Sequence, residues 1–593
     1  MDTISTRSLM VLYFFVSIFI YANTLNNPFH FDDFHSIVEN PHLRALNNIP
    51  VFFVDTQTFS VEQGGKMFRP LLLVSYAINF AIHGSEVWGY RIFNILLHFS
   101  CVVGLFHLAV KMGAGKRMAS LMGWLLLINP LVAEPINYIS SRSDLFVSSF
   151  IIWSISSLLL RDSRYALGII LFAFGFLVKS MAIVMPPLLL LCERSANVWN
   201  YIIRKRFLTI SLSVVVLLYL LIIYENSFLG ESVDKIPRGL VEQIFTHLKA
   251  QVYMAWLCVM PVHLTVDHPF NPASKEITEA IFLSILLIGS ISIFAIRAHS
   301  HWLSVGWIWQ IIALLPYAFI PLNLIVTERR MYLAVVGFSI TMSWVFTRWK
   351  NRNSRASYGF YGLLILWIGI SLSRSNVWAN DISLWSEAVN YNPKNPRALI
   401  NLGLAYERDG SYSAAQKHIL EGLSLDPKIA NGWLHLGNLQ FKDGKYSDAE
   451  DSYLRALSVQ PGLAGGYYNI GNILLGRGEI VTAEEFYIRA LEINPYLALA
   501  HNNLGQIHES RGNSVEALRS YDRAIGGNPE LPQPHYNRAV LLEKMGDYNS
   551  ALSEYSRAYK LMNALKNLDE INQSRPFIKK ALEGMNRLRG SVP

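Results

Sequence analysis

Asp32 and Asp33 stand side by side in the stretch NPFHFDDFHSIVENPHLR, which follows directly on an apolar run. Paired carboxylates this close to lipid are costly unless they hold a metal, a cation or a reacting proton. The structural alternative is an N-cap for a helix starting near Phe34, a position that suits aspartate. Further ionisable residues are spread over other short polar stretches. His35 and Glu39 lie beside the pair, and Arg69 sits in FRPL. Glu134, Arg142 and Asp144 fall in EPINYISSRSDLF, followed by Lys179, by Asp267 and His268 in TVDHP, and by Glu328, Arg329, Arg330 and Tyr332 in TERRMY. A carboxylate pair facing several cations suits a substrate that carries phosphate and a hydroxyl that must lose a proton. Arginine grips phosphate oxygens two at a time, and a carboxylate in hydrogen-bond reach of a hydroxyl can act as its general base. The blander alternatives are a Glu134–Arg142 structural ion pair and arginines that snorkel to lipid phosphate. His268 beside Asp267 has no second histidine at ligand spacing.

The elements that would carry these groups are apolar. Of 593 residues, 52% are hydrophobic and 16% charged, against about 25% charged in soluble domains. The apolar excess falls in residues 1–375, and 376–593 read as soluble helix, so two domains in different solvents are expected. Runs near 8–24, 90–110, 117–132, 144–160, 207–224, 278–296, 302–319, 331–347 and 358–373 approach bilayer length. With the shorter pair 165–178 and 181–192 around Lys179, they predict about eleven crossings. The stretches 70–82 and about 250–263 are expected to lie at the interface.

The net charge of +8 could suggest a nucleic-acid partner, but its distribution argues against one. Basic residues gather in short loops: Lys111, Lys116 and Arg117; Arg161 and Arg164; Arg204, Lys205 and Arg206; Arg348, Lys350, Arg352 and Arg355. With a cytoplasmic N-terminus, these loops fall inside, as the positive-inside rule requires. The acidic pair, the ERR segment and everything after 375 then fall outside. Cys101, Cys192 and Cys258 lie in apolar runs without metal-ligand spacing.

The second half repeats. Pro393, Pro427, Pro461, Pro495 and Pro529 are 34 residues apart, and Gly403, Gly437, Gly471 and Gly505 keep the same period. Ala415, Ala449, Ala483, Ala517 and Ala551 follow in phase, with Tyr453, Tyr487, Tyr521 and Tyr555 four residues after the last four of them. This is the tetratricopeptide period, which predicts paired helices stacked into an α-solenoid. Repeats are placed near 396–429, 430–463, 464–497, 498–531 and 532–565, with a half-repeat, WANDISLWSEAVNYNP, before them and a capping helix near 574–590. Asn438, Asn469, Asn472, Asn502 and Asn503 could project from first helices to hold an extended peptide, or be solvated only.

FDDFHSIVENP, FRPL, RIFNILLH, NPLVAEPINYISSRSDLF, MPVHLTVDH and ERRMYL, in that order and followed by the repeats, resemble the transmembrane and tetratricopeptide-repeat O-mannosyltransferases and their bacterial relatives. These belong to the GT-C superfamily of polytopic glycosyltransferases. The resemblance implies an all-α fold, with a GT-C-type membrane domain over 1–375 and the repeat domain over 376–593. It implies an enzyme that moves a sugar from a polyprenyl- or dolichyl-phosphate donor to serine or threonine hydroxyls outside the cytoplasm. The acidic motif, as base or metal ligand, maps onto Asp32 and Asp33. If a divalent cation such as magnesium or manganese takes part, those residues would hold it. Arg329 or Arg330 would lie near the carrier phosphate, with Arg69, Arg142 and Lys179 as lesser candidates. Glu134, Asp267, His268, Glu328 and Tyr332 complete the expected site. Lys179 is followed by Ser180 where relatives often carry glutamate.

The repeats would dock a protein acceptor or a partner that delivers it. The expected setting is a bacterial inner membrane with periplasmic repeats, with an endoplasmic-reticulum membrane and lumenal repeats as the alternative. Rival readings are a non-catalytic membrane-anchored repeat scaffold and a GT-C enzyme that glycosylates a lipid.

Overall fold

The computed structural model describes residues 5–60, 67–159, 165–193, 205–225, 238–273, 276–298, 300–319, 324–352, 356–563 and 568–589. The basic residues Arg161, Arg164, Arg204 and Arg355 lie outside the described residues. The described residues are helical, with no strand among them, and they divide into two compact units, one running to Ala398 and one from Leu399.

The first unit contains α1 (Thr6–Tyr21), α2 (Pro70–His83), α3 (Val87–Lys111), α4 (Lys116–Ile128), α5 (Ala133–Asn137), α6 (Arg142–Leu158), α7 (Tyr165–Phe176) and α8 (Met185–Cys192). It continues through α9 (Arg206–Glu225), α10 (Leu240–Val259), α11 (Glu279–Arg297), α12 (His301–Leu314), α13 (Tyr332–Arg352), α14 (Ala356–Val377) and α15 (Asp381–Tyr391). Among the described residues, six helical stretches are long and apolar enough to cross a bilayer: Thr6–Thr24, Val87–Lys111, Arg206–Glu225, Glu279–Arg297, Glu328–Trp349 and Tyr358–Val377. A seventh is the pair Lys116–Ile128 and Pro130–Asn137, bent by 53°. The bend has a local cause. Pro130 offers no N–H to α4, and the extended Asn129 turns its side chain to accept from the Leu131 N–H.

The eleven expected crossings are therefore not matched by eleven full-length apolar helices. The difference lies in 144–160, 165–178, 181–192 and 302–319, which fold as the shorter α6, α7, α8 and α12. In α6 the cause is chemical. Ser148, Ser149, Ser154, Ser156 and Ser157 are buried against protein rather than lipid, and they lower the hydropathy of a helix that the core surrounds. The expected interfacial stretch 70–82 is the short α2, and 250–263 is the end of the longer α10.

Two features place the functional residues. The chain before α2 folds as short turns whose Phe29, Ile37, Leu43, Phe52 and Phe59 pack on Leu72, Leu73 and Tyr76 of α2, so the acidic pair rides on an apolar subcore. Helices α12 and α13 approach closely at a pair of glycines, with the Thr341 hydroxyl beside them. A Cβ on Gly306 would lie 2.7 Å from the Gly337 carbonyl oxygen. A cavity of about 350 Å³ opens between α10, α11, α12 and α13, lined by Gln251, Met254, Trp307, Gln310, Met331 and Phe338.

The half-repeat of the sequence reading belongs to this first unit. It forms the turn after α14 and the helix α15, with Trp378 and Trp385 buried and the Phe31 ring edge-on to both.

The second unit consists of helix pairs: α16 (Pro396–Arg408) and α17 (Tyr412–Leu425), α18 (Ala430–Lys442) and α19 (Tyr446–Val459), α20 (Ala464–Gly476) and α21 (Ile480–Ile493), α22 (Ala498–Ser510) and α23 (Ser514–Gly527), and α24 (Pro532–Lys544) and α25 (Tyr548–Asn563). The final helix, α26 (Leu568–Arg589), covers the expected cap, and its Arg587 reaches both carboxylate oxygens of Glu543, at 2.8 and 3.0 Å. Each pair turns on a glycine at positive φ, Gly410, Gly444, Gly478, Gly512 and Gly546 in phase, where a side chain would be strained. The phased glycines of first helices have another task. A Cβ on Gly505 would stand 2.5 Å from the Tyr521 ring, which is buried and whose hydroxyl donates to Glu509 at 2.9 Å. Gly505→Ala should therefore cost about 1–3 kcal/mol, read as a lower urea midpoint for the repeat transition of the full chain. An unchanged midpoint would mean that the ring has slack.

Candidate functional site

The acidic pair is divided by its backbone. Phe31 adopts φ +44°, a left-handed conformation rare for an aromatic residue, and the turn sends its two successors to different environments. Asp33 is fully buried. Its Oδ1 accepts from the Ser140 N–H at 2.7 Å and the Ser140 hydroxyl at 2.5 Å, and its Oδ2 accepts from the His30 N–H at 3.0 Å. Burial pushes its titration up despite these three donors. Asp32 has a side chain 57% exposed, with one oxygen 3.6 Å from His35 Nε2. Burial around it pushes upward, but His35, Arg329 and Tyr138 outweigh that and hold it well below the usual carboxylate range. Asp32 is thus the accessible acid, while Asp33 ties the loop to Ser140 and His30. The expectation that either carboxylate could react is narrowed accordingly.

Tyr138 joins Asp32 to the ERR segment. Its hydroxyl accepts the Asp32 N–H at 3.2 Å, and its ring lies 5.1 Å beneath the Arg329 guanidinium. Arg329 is held by Glu134, whose Oε2 accepts the Arg329 backbone N–H at 3.2 Å and whose Oε1 is 3.6 Å from Nη1. Arg330 donates to the Leu324 carbonyl and lies 5.4 Å over the Tyr317 ring. Lys179 pairs with Asp144 at 2.5 Å. Lys179 also lies within electrostatic reach of both Arg69 and Arg330. Arg69 stands 5.5 Å over the Phe59 ring and has no hydrogen-bond acceptor among the described residues. Four of the five expected phosphate-binding cations therefore gather.

Arg142 does not join them. Its guanidinium is buried and all three nitrogens are committed: Nε to Asn94 Oδ1, Nη1 to the Ser75 hydroxyl and Nη2 to the Tyr90 carbonyl, at 2.8–3.0 Å. The rings of Tyr76 and Phe93 lie 4.8 and 4.6 Å from it. Tyr332 also leaves the site, because its hydroxyl meets His98 Nδ1 at 2.8 Å inside the apolar core. Glu328 and His268 form a supporting layer. Glu328 is buried, 3.1 Å from Arg374 Nη2 and 3.7 Å from His268 Nε2. Arg374 also grips Glu387 of α15. Asp267 is buried beside His268.

The residues that sequence reasoning missed position others. Arg91 donates to the carbonyls of Asn27 and Pro28, at 3.1 and 2.6 Å, and of Asn137 at 2.6 Å, pinning the acidic loop to the end of α5. His30 is buried, with Nδ1 2.6 Å from Asp381 and Nε2 3.1 Å from the Trp378 carbonyl. Nothing in the motif RIFNILLH marks Arg91 as a loop anchor. His30 was signalled only by lying two residues before the pair. Asp33→Asn should unseat this loop, since an amide cannot accept from three donors. A loss of about 1–3 kcal/mol is expected, read as a lower thermal midpoint for the full chain in lipid nanodiscs. Unaltered stability would return Asp33 to the list of reacting groups.

Both Asp33 oxygens accept protein N–H and O–H donors, and among the described residues no group of three His, Cys, Asp or Glu side chains is arranged around a metal position.

In the repeats the expected asparagines pair across neighbouring first helices. Asn469 donates to Asn438 Oδ1 at 2.8 Å, Asn503 to Asn472 Oδ1 at 2.9 Å, and Asn537 to Asn502 Oδ1 at 2.9 Å. Tyr453 and Tyr487 add hydroxyl donors to Asn438 and Asn472. The carbonyls of Asn438, Asn472 and Asn502 are thus used internally.

The comparisons agree with both halves of this organisation. The second unit is made of tetratricopeptide repeats, with family models of that description matching residues 396–429, 434–498, 500–533 and 532–561. Over a longer stretch the chain is similar to proteins named protein O-mannosyl-transferase. One is F38B6.6 of Caenorhabditis elegans, 24% identical over 70% of this chain and 62% of that protein. Another is TMTC3 of Mus musculus, 21% identical over 68% of this chain and 49% of that protein. The chain thus spans about half to three-fifths of the length of these relatives. Among solved structures, MamA is 22% identical and matches 27% of this chain and 95% of its own, with a TM-score of 0.24.

Proposed function

We propose that the first unit is an integral membrane glycosyltransferase that moves a sugar, mannose by the relatives' names, from a polyprenyl-phosphate donor to serine or threonine hydroxyls of proteins. The observation that carries this reading is the meeting of Asp32 and Arg329 on Tyr138. The Tyr138 hydroxyl accepts the backbone N–H of Asp32, whose carboxylate is exposed, and the same ring carries the Arg329 guanidinium, with Lys179 in electrostatic reach of Arg69 and Arg330. Asp32 takes the proton from the acceptor hydroxyl as that oxygen attacks the anomeric carbon. Arg329, with Arg330, Lys179 and Arg69, stabilises the charge that develops on the departing phosphate. Glu134 fixes Arg329, while Asp33, His30 and Arg91 fix the loop bearing Asp32. A single displacement of this kind inverts the anomeric centre.

The second unit docks the acceptor polypeptide or a partner that delivers it, with amide donors such as that of Asn438 facing peptide carbonyls. The basic loops favour a cytoplasmic N-terminus and repeats on the opposite side. The full chain in nanodiscs, given a radiolabelled polyprenyl-phosphate sugar and serine- or threonine-bearing peptides, should label the peptide with an inverted linkage. Label entering only lipid, or retained configuration, would overturn this reading. An impermeant amine label that reached the repeats from the cytoplasmic side would overturn the orientation.

A further inference from the structure

Helix α15 supplies no group to the reaction just described, yet it is bonded toward both of the segments that do. Its first residue, Asp381, lies 2.6 Å from Nδ1 of the buried His30, whose Nε2 is 3.1 Å from the Trp378 carbonyl. His30 donates its backbone N–H to Asp33 and stands two residues before Asp32. One turn further along α15, the Trp385 ring meets the Phe31 ring edge-on at 5.0 Å. Glu387 and Tyr391 lie about 240° round the helix from Asp381 and Trp385, and they meet other partners. Glu387 grips Arg374, whose Nη2 and Nε reach the two carboxylate oxygens of Glu328 at 3.1 and 3.4 Å. Glu328 is the residue before Arg329. The Tyr391 ring lies 5.0 Å from that of His263, in the segment that leads to Asp267 and His268.

Backbone strain marks the same helix. Among the described residues, the non-glycine positions at positive φ are Phe31 and His263, at +44° and +57°, and the rings of both rest on α15. Such conformations persist only where surrounding contacts over-determine them. The contact common to these two is α15.

We propose that α15 is a strut that holds the acid and the cation of the site in register, with Asp381 and Glu387 as its positioning residues. Asp381 sets Asp32 through His30, and Glu387 sets Arg329 through Arg374 and Glu328. This rests on the proposed roles of Asp32 and Arg329 and adds what keeps them in place. Tyr138 joins the two groups directly, whereas α15 holds the backbone segments that carry them. Both arms run through charged pairs withdrawn from water: His30 and Asp381 are 0% and 13% exposed, and Arg374 and Glu328 are 3% and 0% exposed. Charge-assisted hydrogen bonds are short and directional, so they transmit placement rather than merely filling space. A misplacement of about 1 Å at a reacting group can cost about 10²-fold in rate.

The test uses the full chain in nanodiscs, with transfer of label from a polyprenyl-phosphate sugar to a threonine-bearing peptide read as kcat and KM. Asp381→Asn should lower kcat by about 10–100-fold and leave the KM for the donor within about threefold of the wild type. A residue that acts through Asp32 has nothing left to set once that carboxylate is gone. Asp381→Asn made in the Asp32→Asn chain should therefore cost less than about twofold more. A merely structural contact would cost the same factor in both backgrounds, through the amount of folded protein. Glu387→Gln is the parallel variant on the other stripe, at a side chain 33% exposed. Its loss in kcat should vanish in the same way in the Arg329→Gln chain. Equal losses in the paired backgrounds, or an unchanged kcat in the single variant, overturn the role of the residue concerned. An Asp32→Asn chain that transfers at the wild-type rate would instead overturn the base assignment on which the strut rests.

Discussion

Asp32→Asn should reduce sugar transfer by about 10²–10⁴-fold while leaving the chain folded and inserted. The expectation follows from what Asp32 does not do. More than half of its side chain is exposed, and its nearest ion-pair partner is His35 at 3.6 Å, so removing its charge leaves no buried group without a partner. The neighbouring substitution is the contrast. Asp33→Asn strikes a carboxylate that satisfies three donors, and its effect should appear first in stability. Measured together, melting and transfer assays separate the two acids. If Asp32→Asn kept wild-type turnover, the base would have to be sought elsewhere.

Arg329→Gln should cost about 10²–10³-fold in transfer and should also move the acid limb of the pH profile upward. Asp32 sits well below the ordinary carboxylate range because His35, Arg329 and Tyr138 overcome the upward push of burial. A depressed folded value means that ionised Asp32 adds stability above the unfolded carboxylate value of about 4. That contribution is lost as pH falls through the lowered folded value. The wild-type rate should therefore hold at acidities that would silence an ordinary aspartate. Without the Arg329 charge, Asp32 protonates at a higher pH and the limb shifts with it. Arg329→Lys keeps a charge but loses the planar fork over Tyr138, so it should recover the limb more fully than the rate. A limb that stayed fixed in Arg329→Gln would separate this arginine from the acid.

What could be read in advance followed from how far each signal is repeated or locally caused. The repeat unit was legible because every pair must solve the same packing problem: Gly437, Gly471 and Gly505 each face a tyrosine ring, and one solution recurs at one period. The acidic pair was legible because its position is chemically expensive. Which acid is exposed was not, since that depends on Ser140, more than a hundred residues away, and on the backbone turn at Phe31. Arg142 and Arg329 look alike in sequence. Only the fold reveals that Arg142 has spent its donors on Asn94, Ser75 and Tyr90. The half-repeat misled because an amphipathic helix has the same pattern whether it caps a solenoid or covers a loop. Trp378, Trp385 and Asp381 place it with the loop.

The glycine contact between α12 and α13 bears on traffic through the membrane. Gly306 lies against the backbone of Gly337, with the Thr341 hydroxyl and the Gln310 side chain beside the contact, so the two helices approach closely. Across the cavity from this contact stand α10 and α11, and its lining includes Met331, the residue that follows the double arginine. A long-chain lipid arriving from the side would enter through the seam between α10 and α11, and a crosslink closing it should slow arrival without touching the chemistry.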